Sequence, residues 1–231
     1  MKIMTFNTQH CQNYITKKID FEAMAKVIKD SGAEFIGLNE MRGKGTNPEY
    51  DEQVKILSSL TGMKYYGFGE AIMVGGENPY GNGFLSKIPV VKWEKIMIPD
   101  SAAEKTPTHE TRCLLKITLE GGITVLVTHF GLNDDEKENA IRTVLENLEN
   151  KKCILMGDFN ITHEEEILMP IRERMRDTAD AFSAPLLSFP SDEPRIKIDY
   201  IFVSRDIEVI SADIPAIIAS DHRPHTAEIN V

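Results

Sequence analysis

The sequence predicts an α/β fold in which mixed or antiparallel sheets pack together with helices on the outside. Strand-like and helical segments alternate over residues 2–60 and again over residues 123–174. Between these regions, residues 64–119 form extended runs punctuated by glycines and a proline, which is typical of antiparallel strands. No internal repeat or flexible Gly/Ser linker interrupts the chain, so we expect one domain spanning residues 1–231.

The first elements follow from the spacing of apolar residues. Lys2–Phe6 and Glu34–Leu38 are short apolar runs and predict strands. Near Asp20–Asp30 and Glu49–Leu60, apolar residues recur every three or four positions. That spacing places them on one face of a helix, so we expect two amphipathic helices that cover a sheet.

A hairpin is expected next, because Gly121-Gly122 separates two strand-like runs, Cys113–Leu119 and Ile123–Phe130. A helix is predicted near Asp134–Glu149, and a buried strand at Cys153–Gly157. The helix is expected to turn its apolar residues inward, namely Ile141, Val144, Leu145 and Leu148.

The C-terminal third begins with a helix signal. Thr162 and Glu165 have the spacing of a capping box, which predicts a helix running from there towards Arg174. Ile196–Val203 and His225–Val231 then predict the two closing strands.

Composition limits the possible functions. Lys and Arg number 26 against 36 Asp and Glu, giving a net charge of −10. This balance argues against strong non-specific nucleic-acid binding, although a local basic groove or a bound metal remains compatible with it. The three cysteines share no metal-type spacing, so we expect reduced thiols in a cytoplasmic protein. The N-terminus has no apolar run long enough for a signal peptide, and we expect no transmembrane segment.

Polar residues with ligand or proton-transfer chemistry stand at the ends of several predicted strands. One such residue is unremarkable, because turns favour Asn and Asp. The whole set indicates a site that binds a metal and handles protons, since carboxylates suit hard cations and His titrates near neutrality. The set comprises Asn7, Asn39-Glu40, Thr128-His129, Asp158 with Asn160, and Ser220-Asp221-His222.

Asp199 adds to this set. Period-two alternation places it on the same side of its strand as Ile201 and Val203, although a solvent-facing polar strand fits the preceding residues equally well. A carboxylate at the edge of a core requires a cationic or hydrogen-bonding partner, and a nearby His would provide one.

Seven short motifs in a fixed order resemble the endonuclease/exonuclease/phosphatase superfamily, which includes deoxyribonuclease I-like nucleases, abasic-site endonucleases, neutral sphingomyelinases and inositol-polyphosphate phosphatases. The motifs are Phe-Asn7, Leu-Asn-Glu40, Gly81-Asn-Gly-Phe-Leu-Ser-Lys87, Thr-His129-Phe, Gly-Asp158-Phe-Asn160, Ile-Asp199-Tyr and Ser-Asp221-His222. The resemblance implies a four-layer α/β/β/α sandwich of two mixed, mainly antiparallel sheets. It also implies metal-dependent phosphoester hydrolysis, usually with Mg²⁺ and with Mn²⁺ as a further option.

The resemblance also implies residue roles. Glu40 is expected to be the principal metal ligand, helped by Asn7 and, through water, by Asp221. Asp158 is expected to orient or deprotonate the attacking water, and Asn160 to donate a hydrogen bond to a phosphoryl oxygen.

Two histidines complete the implied catalytic set. His222, oriented by Asp199, would contact the phosphate or activate water, and His129 would lie against the phosphate or the leaving group. Arg112 is expected either to reach the substrate phosphate or to form an exposed ion pair. Asn82 is expected either to bind substrate or to occupy a turn that tolerates positive φ.

The other four histidines match no motif, and we expect surface or capping positions for them: His10, His109, His163 and His225. The compact chain leaves little room for large insertions, and its basic residues are not interleaved with aromatic ones. These features favour a small or lipid-like phosphoester over DNA or RNA as substrate. A catalytically silent binding module is less favoured, because Glu40, Asp158 and His222 are all present.

Overall fold

The computed structural model describes residues 1–101, 106–181 and 186–231. Its strands are β1 (Lys2–Asn7), β2 (Phe35–Arg42), β3 (Tyr65–Val74), β4 (Asn78–Ser86), β5 (Val90–Met97), β6 (Cys113–Leu119), β7 (Thr124–His129), β8 (Cys153–Asp158), β9 (Met175–Asp177), β10 (Asp199–Ser204), β11 (Glu208–Asp213) and β12 (His225–Asn230). Its helices are α1 (Phe21–Ser31), α2 (Gln53–Thr61), α3 (Asp134–Asn147) and α4 (Met169–Arg174).

The strands form two mixed sheets of six strands each. The first has the order β11-β12-β1-β2-β4-β3 and the second β5-β6-β7-β8-β10-β9. Among these strands, β1 with β2 and β7 with β8 pair in parallel; the other neighbouring pairs are antiparallel. The predicted predominance of antiparallel pairing is therefore confirmed.

Three apolar clusters define the layers. One lies between the sheets and joins residues such as Phe35 and Phe84 to Leu115 and Met156. A second packs α1 and α2 against the outer face of the first sheet, and a third packs α3 and α4 against the second. This arrangement is the α/β/β/α sandwich that the sequence predicted.

Most element positions agree with the predictions, and the main error is the helix expected from Thr162. The Glu165 carboxylate accepts hydrogen bonds from both the backbone N and the hydroxyl of Thr162. The Glu165 backbone N donates to the Thr162 carbonyl rather than to the hydroxyl, so the hydroxyl does not accept the bond that a capping box requires. The chain makes a turn instead, and helical structure starts at Glu166–Leu168 and continues into α4.

Smaller differences occur in the strands. The short strand β9 and the exposed strand β11 were not predicted, and β10 begins at Asp199 rather than Ile196. Ile196 forms only an isolated bridge with Phe189. Residues 102–105 of the predicted extended region lie outside the described ranges.

All three cysteines are buried and unpaired. Among the described residues, no helix is long and apolar enough to cross a membrane.

Candidate functional site

The candidate site lies at one end of the sandwich, where strand ends of the two sheets lie side by side. The parallel pair β1 and β2 ends at Asn7 and Asn39, which face each other in register. The parallel pair β7 and β8 ends at His129 and Asp158, which are also register partners. Asp199 opens β10 opposite Asp158, so that both sheets contribute to one polar cluster.

Two buried asparagines join the sheets. The Asn7 amide donates to Glu40 Oε1 at 3.1 Å and to Asp158 Oδ2 at 3.0 Å. The Asn39 amide donates to the Thr128 carbonyl at 2.8 Å, and its oxygen accepts from the Asp158 backbone N at 3.0 Å. The two Asn7 bonds hold the Glu40 and Asp158 carboxylates at a defined separation.

Asp158 is the centre of the cluster. His129 Nε2 lies 3.5 Å and His222 Nε2 3.6 Å from the same oxygen, Oδ2. Its other oxygen accepts from the Asn160 backbone N at 2.9 Å. Burial raises the pKa of the Asp158 carboxyl, and the nearby His222 opposes that effect.

His222 is the histidine partner that the sequence predicted for Asp199. Its Nδ1 lies 2.8 Å from Asp199 Oδ2. Burial alone would lower the pKa of His222, but the Asp199 and Asp158 carboxylates outweigh it and raise the pKa to about 10. The imidazole is therefore held as a cation with its orientation set, and the Phe189 ring packs against it at 4.8 Å.

His129 has the opposite electrostatic environment. Burial lowers its pKa well below the usual value, and the charge of Arg112 adds to this effect. Arg112 Nη1 lies 3.1 Å from His129 Nδ1. Since a guanidinium can only donate, Nδ1 accepts and the ring proton is on Nε2, 3.5 Å from the acceptor Asp158 Oδ2. The amide nitrogen of Asn160 lies 3.2 Å from the same Nε2, but as a donor it cannot accept this proton.

Arg112 also forms the ion pair considered from the sequence, at 2.8 Å from Glu110. The pair is sheltered rather than exposed, since the Arg112 side chain is 11% accessible. It anchors a charged group beside His129.

Asn82 is a correction to the sequence interpretation. It lies within β4 rather than in a turn, and it is 2% exposed. Its oxygen accepts from Asn39 and its amide donates to the Cys113 carbonyl. Both ends of the amide are occupied, so Asn82 supports Asn39 beneath the site instead of facing a substrate.

Glu40 stands at an irregularity of β2, where the register with β4 shifts between Leu38 and Met41. Its φ is 60°, a left-handed conformation that costs a non-glycine residue energy and is concentrated at functional sites. Burial raises the pKa of its carboxyl, and the neighbouring Asp221 charge raises it further. A divalent cation would offset this crowding of negative charge.

The donors around Glu40 fit such a cation. The cluster offers carboxylate and amide oxygens, which hard divalent ions prefer. Asp221 is partly exposed, and its Oδ1 accepts from the Ser220 hydroxyl. Asn7 Oδ1 accepts from the Gln9 backbone N, which leaves one carbonyl lone pair for another contact.

A second group of potential ligands, His163 with Asp177 and Asp180, lies elsewhere. Arg172 contacts His163 and Asp180, and Lys197 pairs with Asp177. These cations already compensate the acidic groups.

The sequence profile of the endonuclease/exonuclease/phosphatase family matches residues 4–222. The chain belongs to this family. Its members are hydrolases of phosphoesters and generally depend on a divalent metal. No curated protein matches the chain in sequence.

Solved structures show the same fold. An endonuclease/exonuclease/phosphatase from Beutenbergia cavernae is 20% identical with a TM-score of 0.82, and the match covers 100% of this chain and 71% of that one. The mannosyl-6-phosphatase of Bacteroides thetaiotaomicron is 14% identical with a TM-score of 0.74, covering 100% of both chains. The human Nocturnin catalytic domain, which holds a sulfate anion, is 16% identical with a TM-score of 0.72, covering 100% of this chain and 94% of that one.

Three residues that sequence reasoning did not assign to the candidate site lie in or beside it. His10, expected at the surface or in a cap, has its Nδ1 3.9 Å from Glu40 Oε2. The pKa of Tyr80 is raised well above its usual value by burial and by the Glu40 charge. His225 was also expected at the surface or in a cap, and that prediction is wrong: the residue is fully buried, and its Nδ1 lies 3.2 Å from the Asp199 carbonyl oxygen.

Only His10 had a sequence signal. It follows Asn7 by three positions, at the end of the first strand, where polar groups converge. Tyr80 and His225 lie within strands, so their proximity to the site follows from pairing between distant segments.

Proposed function

We propose that this chain is a divalent-metal-dependent phosphoesterase that hydrolyses its substrate by attack of an activated water. The observation that carries the proposal is the convergence of two differently charged histidines on one oxygen of Asp158. The metal-side carboxylate Glu40 is one asparagine away, through Asn7. This combination can supply a base, a cation and hydrogen-bond donors around a single phosphate.

The metal would be held by Glu40, with Asn7 and a water bound to Asp221, and would supply positive charge to a phosphoryl oxygen. Asp158 would orient the attacking water and accept its proton, a role that its raised pKa suits. Asn160 would donate to a second phosphoryl oxygen. These assignments extend the roles implied by the sequence motifs to a defined geometry.

The two histidines would then have separate tasks. His222, kept protonated by Asp199, would stabilise negative charge that develops on the phosphate. His129 would donate its Nε2 hydrogen to the phosphate or leaving group as a neutral imidazole, with Arg112 fixing the tautomer. Arg112 would add positive charge next to the same group.

For the substrate, we propose a small or lipid-like phosphodiester or a phosphomonoester. The net charge of −10 disfavours a polyanion, and one structural neighbour carries the name mannosyl-6-phosphatase. A DNA or RNA nuclease is the second candidate. A silent binding module is less favoured, since it would not need the buried Asp199–His222 pair.

The buried free thiols are typical of a reducing compartment, so we also propose a cytoplasmic location. We further propose that residues 1–231 form one functional unit.

The test is hydrolysis of bis-(p-nitrophenyl) phosphate, p-nitrophenyl phosphate, plasmid DNA, RNA and sphingomyelin with Mg²⁺ or Mn²⁺. We expect turnover of a small or lipid ester that falls about a hundredfold or more in Glu40→Gln and Asp158→Asn. Glu149→Gln is the matched control, because Glu149 is 51% exposed and pairs with Lys116 rather than with a residue of the cluster.

DNA or RNA cleavage that exceeds ester hydrolysis and disappears in Glu40→Gln would replace the small-substrate proposal with the nuclease. No turnover of any of these substrates would contradict the hydrolase proposal itself.

A further inference from the structure

His10 occupies a position beside the metal-side carboxylate that no motif assigns to it. Its Nδ1 is 3.9 Å from Glu40 Oε2, and the two side chains are 20% and 22% exposed. The separation is too long for a hydrogen bond. It is short enough for a shared ion, because two ligands about 2.1 Å from one ion lie at most about 4.2 Å apart.

The backbone holds His10 in this place. Gln9, His10 and Cys11 have φ values of 46°, 47° and 62°, three successive non-glycine residues in the left-handed region. The Gln53 amide donates to the His10 carbonyl at 2.8 Å, and its oxygen accepts from the Arg42 backbone N at 2.9 Å. This single side chain ties the turn to the end of β2, which carries Glu40.

Further bonds fix the base of the turn. The Gln9 backbone N donates to Asn7 Oδ1 at 3.0 Å, and the Cys11 backbone N donates to the Thr8 hydroxyl at 3.3 Å. In the part of the chain that the structure describes, neither imidazole nitrogen of His10 has a hydrogen-bond partner, and its one ion-pair contact is with Glu40. The backbone therefore fixes the position of the imidazole ring, while both ring nitrogens are left without a hydrogen bond in the described ranges.

We propose that His10 Nδ1 is a ligand of the divalent ion bound at Glu40, and that the site therefore prefers Mn²⁺ to Mg²⁺. The inference rests on the proposed function, because it concerns the same metal. Its chemical basis is that imidazole suits transition-metal ions, whereas Mg²⁺ takes oxygen ligands and retains several waters.

The first measurement is isothermal titration calorimetry of Mn²⁺ and Mg²⁺ with the full chain. We expect tighter binding of Mn²⁺ than of Mg²⁺ by about tenfold or more, and a loss of about tenfold or more in Mn²⁺ affinity in His10→Asn. Mg²⁺ affinity should change much less. Asn is the chosen substitute because it tolerates positive φ better than most residues.

The second measurement reports ligation directly. Pulsed electron paramagnetic resonance of the Mn²⁺-loaded chain should show coupling to an imidazole nitrogen that is absent in His10→Asn. His163→Asn is the matched control, since His163 lies on Arg172 and should leave the spectrum unchanged. Wild-type protein without nitrogen coupling would overturn the inference even if the variant failed to fold.

The outcomes separate this inference from the proposed function. Glu40→Gln should lose both metals and hydrolysis together. If wild type hydrolyses phosphoesters and His10→Asn keeps the same ratio of Mn²⁺ to Mg²⁺ affinity, His10 is not a ligand and the hydrolase proposal stands. If wild type binds neither ion and hydrolyses nothing, both fail.

Discussion

At the scale of single residues, Asp199 controls the charge of the site. Its side chain is fully buried, and its Oδ2 lies 2.8 Å from His222 Nδ1. The other oxygen has no hydrogen-bond partner within those ranges. A buried carboxylate in this position stabilises an imidazolium, and the imidazolium in turn compensates the carboxylate.

Replacing Asp199 by Asn should therefore lower kcat/KM by about 10²- to 10⁴-fold. The variant removes the nearest charge that raises the pKa of His222. The imidazolium will be lost at lower pH, so the alkaline limb of the pH–activity profile should move to lower pH. An unchanged alkaline limb would show that His222 does not act as a cation.

The same variant has a stability signature with a defined sign. The folded-state pKa of His222, about 10, exceeds its usual value of 6.5. Its contribution to stability is fully present below about pH 6.5 and is lost as pH rises towards about 10. Urea unfolding should therefore show a larger destabilisation by Asp199→Asn at pH 6 than at pH 10, whereas the exposed Asp192→Asn should show no such difference.

At the scale of elements, the close approach of β7 and β8 brings His129 to Asp158. Gly157 makes this possible, because a Cβ at that position would lie 1.8 Å from the Thr128 carbonyl oxygen. Its φ of 149° is also unfavourable for other residues. The glycine of the Gly-Asp158-Phe-Asn160 motif is thus a packing requirement for the site.

Gly157→Ala should destabilise the fold by about 3 kcal/mol or more, combining backbone strain with overpacking, and should reduce activity in the fraction that folds. Gly76→Ala is the control: Gly76 also has positive φ, 81°, but a Cβ added there would have no atom within 4 Å. It should cost about 1 kcal/mol, from strain alone. Equal unfolding free energies for the two variants would contradict the packing argument.

At the scale of the whole molecule, the site joins the two sheets. Asn7 and Glu40 come from the first sheet, and His129, Asp158 and Asp199 from the second. An ion that binds this assembled site stabilises the folded chain, because the unfolded chain has no such site.

Divalent ions should therefore raise the thermal unfolding midpoint. At a hundred times Kd, linkage gives about 2.7 kcal/mol, or roughly 5–10 °C for a chain of this length. Differential scanning calorimetry with Mn²⁺, with Mg²⁺ and with EDTA measures the shift. Glu40→Gln should lose it, and an equal shift in that variant would place the ion elsewhere.

Local sequence signals account for most of the elements. Apolar periodicity located α1, α2 and α3, and Gly121-Gly122 located the β6–β7 turn, because each signal lies within the element that it describes. Thr162 failed as a helix start because the spacing alone does not decide where the Glu165 backbone N–H donates, and it donates to the Thr162 carbonyl in a turn. Strand β11 was missed because its exposed residues carry little periodic signal.

The order of the motifs and the polar strand ends predicted the family and the sandwich, and they named the polar residues that the structure brings together around Asp158, since these properties depend on residue types and short spacings. The contacts that set the chemistry required the folded chain. His222 meets Asp199 across 23 positions, and Asn7 meets Asp158 across 151. Opposite pKa shifts in His129 and His222, and the place of His10 beside Glu40, arise from burial and charges contributed by distant strands, and no local pattern encodes them.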